Sequence, residues 1–122
     1  MALKRRPYSC GLEAALDILD GKWKALILRG LRDGPRRFGE LRRAVAGVSE
    51  KMLIQSLKEL EADGAVVRRD FREIPPRVEY SLTRFGATLF ESLIPLCEWG
   101  TRHMTRIEAL ETRGRSRLSA TV

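Results

Sequence analysis

The stretch "FGELRRAVAGVSEKMLIQSLKELEADG", Phe38 to Gly64, decides the fold. Its first part, Phe38 to Val45, reads as a short helix with Leu41 and Val45 on one face. "AGVS", Ala46 to Ser49, breaks that helix. Ser49 then stands where an N-cap belongs, with a hydroxyl able to accept a backbone N–H that the first helical turn leaves unpaired. The next helix is predicted from Glu50 to about Ala62. At about 100° per residue, Leu53, Leu57 and Leu60 share one narrow face, and Lys51, Gln55 and Lys58 fall opposite. Asp63-Gly64 ends it, because Gly adopts the left-handed C′ conformation without penalty. Two helices joined by a turn of about three or four residues, the second polar on one face, form a helix-turn-helix pattern. In such a motif the second helix lies in the DNA major groove and its N-terminal residues reach base edges.

The flanks extend this pattern. Upstream, Leu12, Ala15, Leu16 and Leu19 recur at helical spacing and predict a helix ending near Asp20-Gly21. Trp23, Leu26, Ile27 and Gly30, widened by Leu28 and Leu31, predict a second helix buried on most sides. "RDGPRRF", Arg32 to Phe38, holds Gly34-Pro35 and reads as a turn. Downstream, strands are predicted over about Ala65 to Phe71 and Val78 to Leu82, the second alternating cleanly with Glu79 and Ser81 on its other face. Between them lie Pro75-Pro76 and several arginines. A strand pair directly after a helix-turn-helix makes a wing. Thr83 caps a last long helix carrying Leu89, Leu93, Leu96, Met104 and Ile107, with a kink expected at Pro95. The fold class is therefore mainly α with a small antiparallel β-wing. Residues 1–9 read as a basic arm, 10–111 as the working domain, and the Arg-rich tail 112–122 is expected to be disordered.

Charge is the loudest bulk signal. The chain of 122 residues carries 23 Lys+Arg against 16 Asp+Glu, a net +7. Residues 22–77 hold 14 of the bases and 8 of the acids, so +6 of that excess sits around the helix-turn-helix and the wing. Such an excess favours an anionic partner: nucleic acid, an anionic membrane or an acidic protein. The longest unbroken apolar run, Ala25 to Leu28, is far below the ~20 residues a membrane helix needs. Glu13, Asp17 and Asp20 interrupt the stretch behind the basic arm, so no signal-peptide core forms and a cytoplasmic location is expected. Cys10 and Cys97 are then expected to be reduced, and they form no metal-spaced cluster. No paired carboxylates, nucleophile–base pair or phosphate loop supports an enzyme. No cofactor or metal is expected.

"DGKWKALILRGLRDGPRRFGELRRAVAGVSEKMLIQSLKELEADGAVVRR", followed by "PPRVEYSLTRFG" and "LCEWG", closely resembles the HxlR-type winged-helix transcription regulators, relatives of MarR. The resemblance covers about Cys10 to Gly100. It implies a non-catalytic, dimeric DNA-binding repressor or activator, paired through the first and last helices of two subunits. It places the recognition helix at Ser49 to Ala62 and the wing at Val66 to Leu82. It also matches Cys10 to an N-terminal cysteine that in several members senses electrophiles, quinones, aldehydes or oxidants. Here the chain departs from the family, which usually has Cys-Pro before an aliphatic residue; this chain has Cys10-Gly11-Leu12. Gly lacks the fixed φ that Pro imposes where a helix starts.

The residues expected to touch DNA follow. Gln55 suits an adenine edge and Lys51 a guanine edge, with Lys58 on the same face. Ser49 combines capping with phosphate contact. Arg36, Arg37, Arg42 and Arg43 are phosphate candidates. In the wing, Arg72 and Arg77 flank the proline tip and rank ahead of Arg68 and Arg69. Cys10 is the candidate redox or electrophile sensor: a helix start with Arg5 and Arg6 nearby favours thiolate, and Glu13 opposes it. Trp23 and Trp99 read as core anchors, and Cys97 as core or dimer interface. A Cys97–His103 pair is disfavoured, because six residues of helix put the two about 120° apart. The expected partners are double-stranded operator DNA, a second copy of the chain, and a small-molecule or electrophile effector; a membrane is not among them.

Overall fold

A computed structural model describes residues 7–110. The elements run α1 (Gly11–Ile18), α2 (Trp23–Gly30), α3 (Phe38–Ala44), α4 (Glu50–Ala62), β1 (Val66–Asp70), β2 (Val78–Leu82) and α5 (Arg84–Arg102). After a turn at His103 the chain is helical again over 104–110. Residues 1–6 of the basic arm, with Arg5 and Arg6, and the tail 112–122 lie outside the described residues. The chain divides into two compact units between Glu91 and Ser92.

In the first unit, α4 forms for the reasons its sequence supplies. The Ser49 hydroxyl accepts the Met52 N–H at 3.1 Å. Glu50 adds a negative charge in the first turn, where the helix dipole favours one. Asp63 is the C-cap, and Gly64 follows in the left-handed region at φ 79. Leu53, Leu57 and Leu60 are essentially fully buried, and α4 lies against α2 and β1. Each such leucine contributes roughly 2 kcal/mol of apolar transfer. They share the core with Ile27, Leu28, Leu31, Leu41, Val45, Val48 and Phe90.

One contact beneath α4 has no signal in the sequence. Lys24 is 3% exposed, and its Nζ lies 2.7 Å from Glu59 Oε1. In "GKWK" a lysine reads as a solvent residue, and nothing local pairs it with an acid 35 positions on.

The wing is an antiparallel pair in the register Val66↔Leu82 through Asp70↔Val78. A third segment, which sequence alone reads as a turn, joins it by one bridge. Arg36 donates its N–H to the Tyr80 carbonyl at 2.9 Å and accepts the Tyr80 N–H at 2.8 Å. The Arg36 Nε also donates to the Gly30 carbonyl at 2.6 Å, satisfying one open acceptor at the end of α2.

The return from the wing into α5 is tied just as closely. Thr83 donates its hydroxyl to the Gly64 carbonyl at 2.6 Å and accepts the Gly86 N–H at 2.9 Å, so it caps α5 while holding the end of α4. The first turn of α5 crosses Ala65 so closely that a Cβ on Gly86 would lie 1.9 Å from the Ala65 carbonyl oxygen.

In the second unit the helix continues over Pro95 to Arg102 and is interrupted only at His103. The His103 ring stacks on Trp99 at 4.6 Å between centroids. The expectation of Trp99 as a core anchor fails: it is 48% exposed. Cys97 is exposed too, so it is not core. Trp23, in the first unit, is half-buried.

Two stability outcomes follow. Gly86→Ala forces backbone apart rather than moving a side chain, so it should cost at least about 3 kcal/mol in urea unfolding, the upper end for overpacking. Gly100→Ala is the control. A Cβ there meets nothing within 4 Å, and Ala favours a helix by about 1 kcal/mol over Gly. Similar midpoints for the two variants would contradict this crossing. Lys24→Ala should cost about 2 kcal/mol, below the 3–5 of a fully buried pair because Glu59 retains 30% exposure. The double change Lys24→Met with Glu59→Leu should recover most of that loss, and a purely additive pair would show the ion pair to be uncoupled.

Candidate nucleic-acid interface

The outer face of α4 carries what the sequence places there. Lys51, Gln55 and Lys58 are all exposed and, with Glu50 and Ile54, line a shallow concavity along the helix. Gln55 Nε2 donates to Glu59 Oε2 at 2.8 Å. An ionised carboxylate only accepts, so the amide NH₂ faces Glu59 and the carbonyl oxygen is turned away from it. Glu59 thus holds Lys24 from below with one oxygen and Gln55 at the surface with the other. Ser49 uses an oxygen lone pair for its cap and keeps its O–H to donate. Met52 and Ile54, 42% and 40% exposed, were passed over by charge-based reasoning. Apolar side chains on such a face suit thymine methyl groups.

The arginines of the helix-turn-helix separate into two kinds. Arg42 and Arg43 are exposed in the last turn of α3, where they also complement its dipole. Arg37 is exposed, and its backbone N–H donates to Glu40 Oε1 at 2.8 Å, which fixes the start of α3. Arg36 is half-buried, with backbone and Nε both used inside the fold.

The wing divides in the same way. Asp70 Oδ1 accepts the Arg72 N–H at 2.9 Å, and this local turn holds Arg72 in the left-handed region at φ 55. The Arg72 side chain is exposed and has no acid partner among the described residues. The tip beyond it presents Ile74 fully to solvent, followed by Pro75 and Pro76, with the Ile74–Pro75 bond cis. Arg77 is half-buried. Its Cζ lies 3.7 Å from the Phe71 ring centroid, and its Nε is 3.9 Å from Glu73 and 3.8 Å from Glu79. Arg69 approaches the same ring at 4.2 Å. Phe71 therefore organises two wing cations, a role no spacing rule suggested. Arg68 is exposed opposite Tyr80.

Cys10 is exposed and occupies the N-cap of α1 in extended conformation. The backbone N–H groups of Glu13 and then Leu12 point toward its sulfur, short of a full capping hydrogen bond, and hold the thiol below its ordinary pKa. Glu13, read from sequence as opposing a thiolate, directs its carboxylate to Ser9 at 2.7 and 3.1 Å while its N–H favours the thiolate. Among the described residues, no group of three or more His, Cys, Asp or Glu side chains is arranged to hold a metal ion. No described helix is long and apolar enough to cross a membrane.

Comparisons with known proteins support the fold and identify a family. The family model for the HxlR-like helix-turn-helix matches residues 18–108. The HTH-type transcriptional regulator YkvN of Bacillus subtilis (strain 168) is 46% identical over 95 residues, covering 78% of this chain and 80% of its own. Among solved structures, the redox regulator HypR in its reduced form superposes with a TM-score of 0.76 at 41% identity, over 82% of this chain and 99% of its own. The reduced transcriptional regulator YodB from B. subtilis gives 0.67 at 36%, over 76% and 92%. The family model spans most of the chain, and a 46% identical regulator is matched over 80% of its length: the chain belongs to the HxlR-like helix-turn-helix family of transcriptional regulators.

Proposed function

We propose that the chain is a cytoplasmic, sequence-specific regulator that binds a pseudo-palindromic operator as a homodimer. Residues 10–111 would form the DNA-binding and dimerisation domain. The carrying observation is α4: three leucines fix one face in the core, and Lys51, Gln55 and Lys58 stand on the other. In this reading α4 enters the major groove with Lys51 and Gln55 at base edges. Ser49, Lys58, Arg37, Arg42 and Arg43 meet phosphates, and Arg72 carries the wing to the flanking backbone or minor groove. Arg36 and Arg77 contribute whatever their guanidinium edges still offer after their internal contacts. Dimerisation is supported by α1, which buries none of its residues and leaves Leu12 and Leu16 68% and 56% exposed. An eight-residue helix is too short to persist in water unaided. Control would act by changing the spacing or angle between two recognition helices.

A second reading is favoured by Cys10. Its thiol is biased toward thiolate by the start of α1, and a structural relative is described as a redox regulator. Oxidants or electrophiles would then act at Cys10 and release DNA.

The DNA reading is tested by fluorescence anisotropy on selected operator and random duplexes across a salt series. Lys58→Ala and Arg72→Ala should each lower the salt slope by about one and weaken all sequences. Gln55→Ala should cost about 1–3 kcal/mol on the operator and little on random DNA. Unchanged slopes, or equal losses of Gln55→Ala on both duplexes, would overturn the assignment.

The sensing reading is tested by alkylation rate against pH. Because the thiol pKa is lowered, the rate at Cys10 should rise with a midpoint below that of the same cysteine in the urea-unfolded chain. Diamide should weaken operator binding by the wild type and leave Cys10→Ser unaffected. An identical diamide response in both proteins rejects sensing through Cys10.

A further inference from the structure

Between the start of α2 and the flank of α4 lies an open cleft of about 330 Å³ that none of the assignments above uses. Gly21, Lys22 and Trp23 form one wall, and Lys51 and Ser56 stand on the other. Gly21, at φ 87, turns the chain so that α2 starts at the cleft. No side chain caps α2, and no acid sits in its first turn, so its leading N–H groups and the positive end of its dipole stay open. Lys22 Nζ lies 4.7 Å from the Trp23 ring centroid. Ser56 is 3% exposed, and its hydroxyl has no hydrogen-bond partner among the described residues. Its hydroxyl is reached only from the cleft, where it is left to donate to whatever enters. Two acids also line the cleft. Glu59 is engaged by Lys24 and Gln55, and Asp20 is exposed ahead of Gly21.

We propose that this cleft seats one phosphate of the DNA backbone. The leading N–H groups of α2, the Lys22 ammonium and the Ser56 hydroxyl are its donors, with Lys51 shared between seat and groove. The inference rests on the DNA-binding reading and extends it to residues that reading does not use. Helix N-termini bind phosphate through open N–H groups and dipole together. The position suits the role. A helix in a major groove about 12 Å wide has a row of phosphates on each side. The side of α4 facing α2 is where Lys51, Gln55 and the cleft meet. A phosphate held there would set how deeply α4 enters the groove while carrying no sequence information itself.

The test uses the 122-residue chain with Trp99→Phe, so that Trp23 is its remaining tryptophan. Drawing Lys22 to a phosphate moves its charge relative to the indole. Trp23 emission should therefore change on binding, equally with operator and random duplex. Lys22→Ala should weaken both duplexes several-fold and lower the salt slope by about one. Lys22→Arg should restore the slope. Ser56→Ala should weaken both duplexes about two- to fivefold with the slope unchanged, because the lost donor is neutral. A silent Trp23 on saturation with DNA, with an unchanged slope in Lys22→Ala, overturns the seat and leaves DNA binding standing. No DNA binding by the wild type at low salt removes both. A saturable Trp23 response to benzoate with none to DNA would make the cleft a small-molecule site and overturn the phosphate assignment.

Discussion

The carboxylate of Glu59 is the point on which the arrangement turns. One oxygen takes the buried Lys24 ammonium and the other the Gln55 amide. A lysine that is 3% exposed is tolerable only with its partner in place, since an unpaired buried charge costs several kcal/mol. That pairing fixes the rotation of α4 about its own axis relative to α2. The leucine face alone would tolerate small rotations, because apolar contact has no direction. The Lys24–Glu59 ion pair, which joins α2 to α4, does not tolerate them. The outward residues of α4 therefore take their aim from a contact beneath the surface. Gln55 is also prepared in one orientation before any partner arrives, which reduces the ordering cost of binding.

The wing is aimed by a second set of short contacts. Thr83 joins Gly64, Ala65 and Gly86 within a few residues of the end of α4. The absent Cβ at Gly86 lets the α5 backbone pass directly over Ala65. The end of α4, the base of the wing and the first turn of α5 thus meet at one junction. Further out, control passes to side chains. Phe71 gathers Arg69 and Arg77, whereas Arg72 extends from a local Asp70 turn. The wing is stiff at its base, and its cations differ in how free they are to move.

Most of this was legible where the signal is local. The Ser49 cap, the extent of α4, the second strand and the Thr83 cap each depend on a few neighbouring residues, and each stands where the sequence put it. What escaped depends on contacts between distant positions. The Lys24–Glu59 pair, the Arg36–Tyr80 bridge and the Gly86–Ala65 crossing join segments that no period or motif links. The same limit affected the site. Arg72 and Arg77 look equivalent on either side of a proline tip, and it is the placement of Phe71, Glu73 and Glu79 around Arg77 that separates them. Trp99, and the core alternative for Cys97, were misplaced for a different reason. A helical apolar stripe states that a face seeks cover, without stating whether the cover comes from the same chain.

That last ambiguity bears on how sensing and DNA binding would communicate. α1 is amphipathic, eight residues long and buries nothing, yet it carries Cys10 at its first cap. Its N–H groups favour the thiolate only while the first turn is wound. In the proposed dimer, the surface that covers Leu12 and Leu16 also keeps that turn wound. The two properties are then linked in both directions. Covering α1 favours the reactive form of Cys10, and a bulky or cross-linked sulfur at the cap changes how α1 docks. Gly11 makes the coupling stronger than a proline would. Proline holds φ whether or not the helix is docked, whereas glycine depends on the docked helix to hold the cap in place. In the proposed dimer, Cys10-Gly11 would thus tie thiol reactivity to the assembled state.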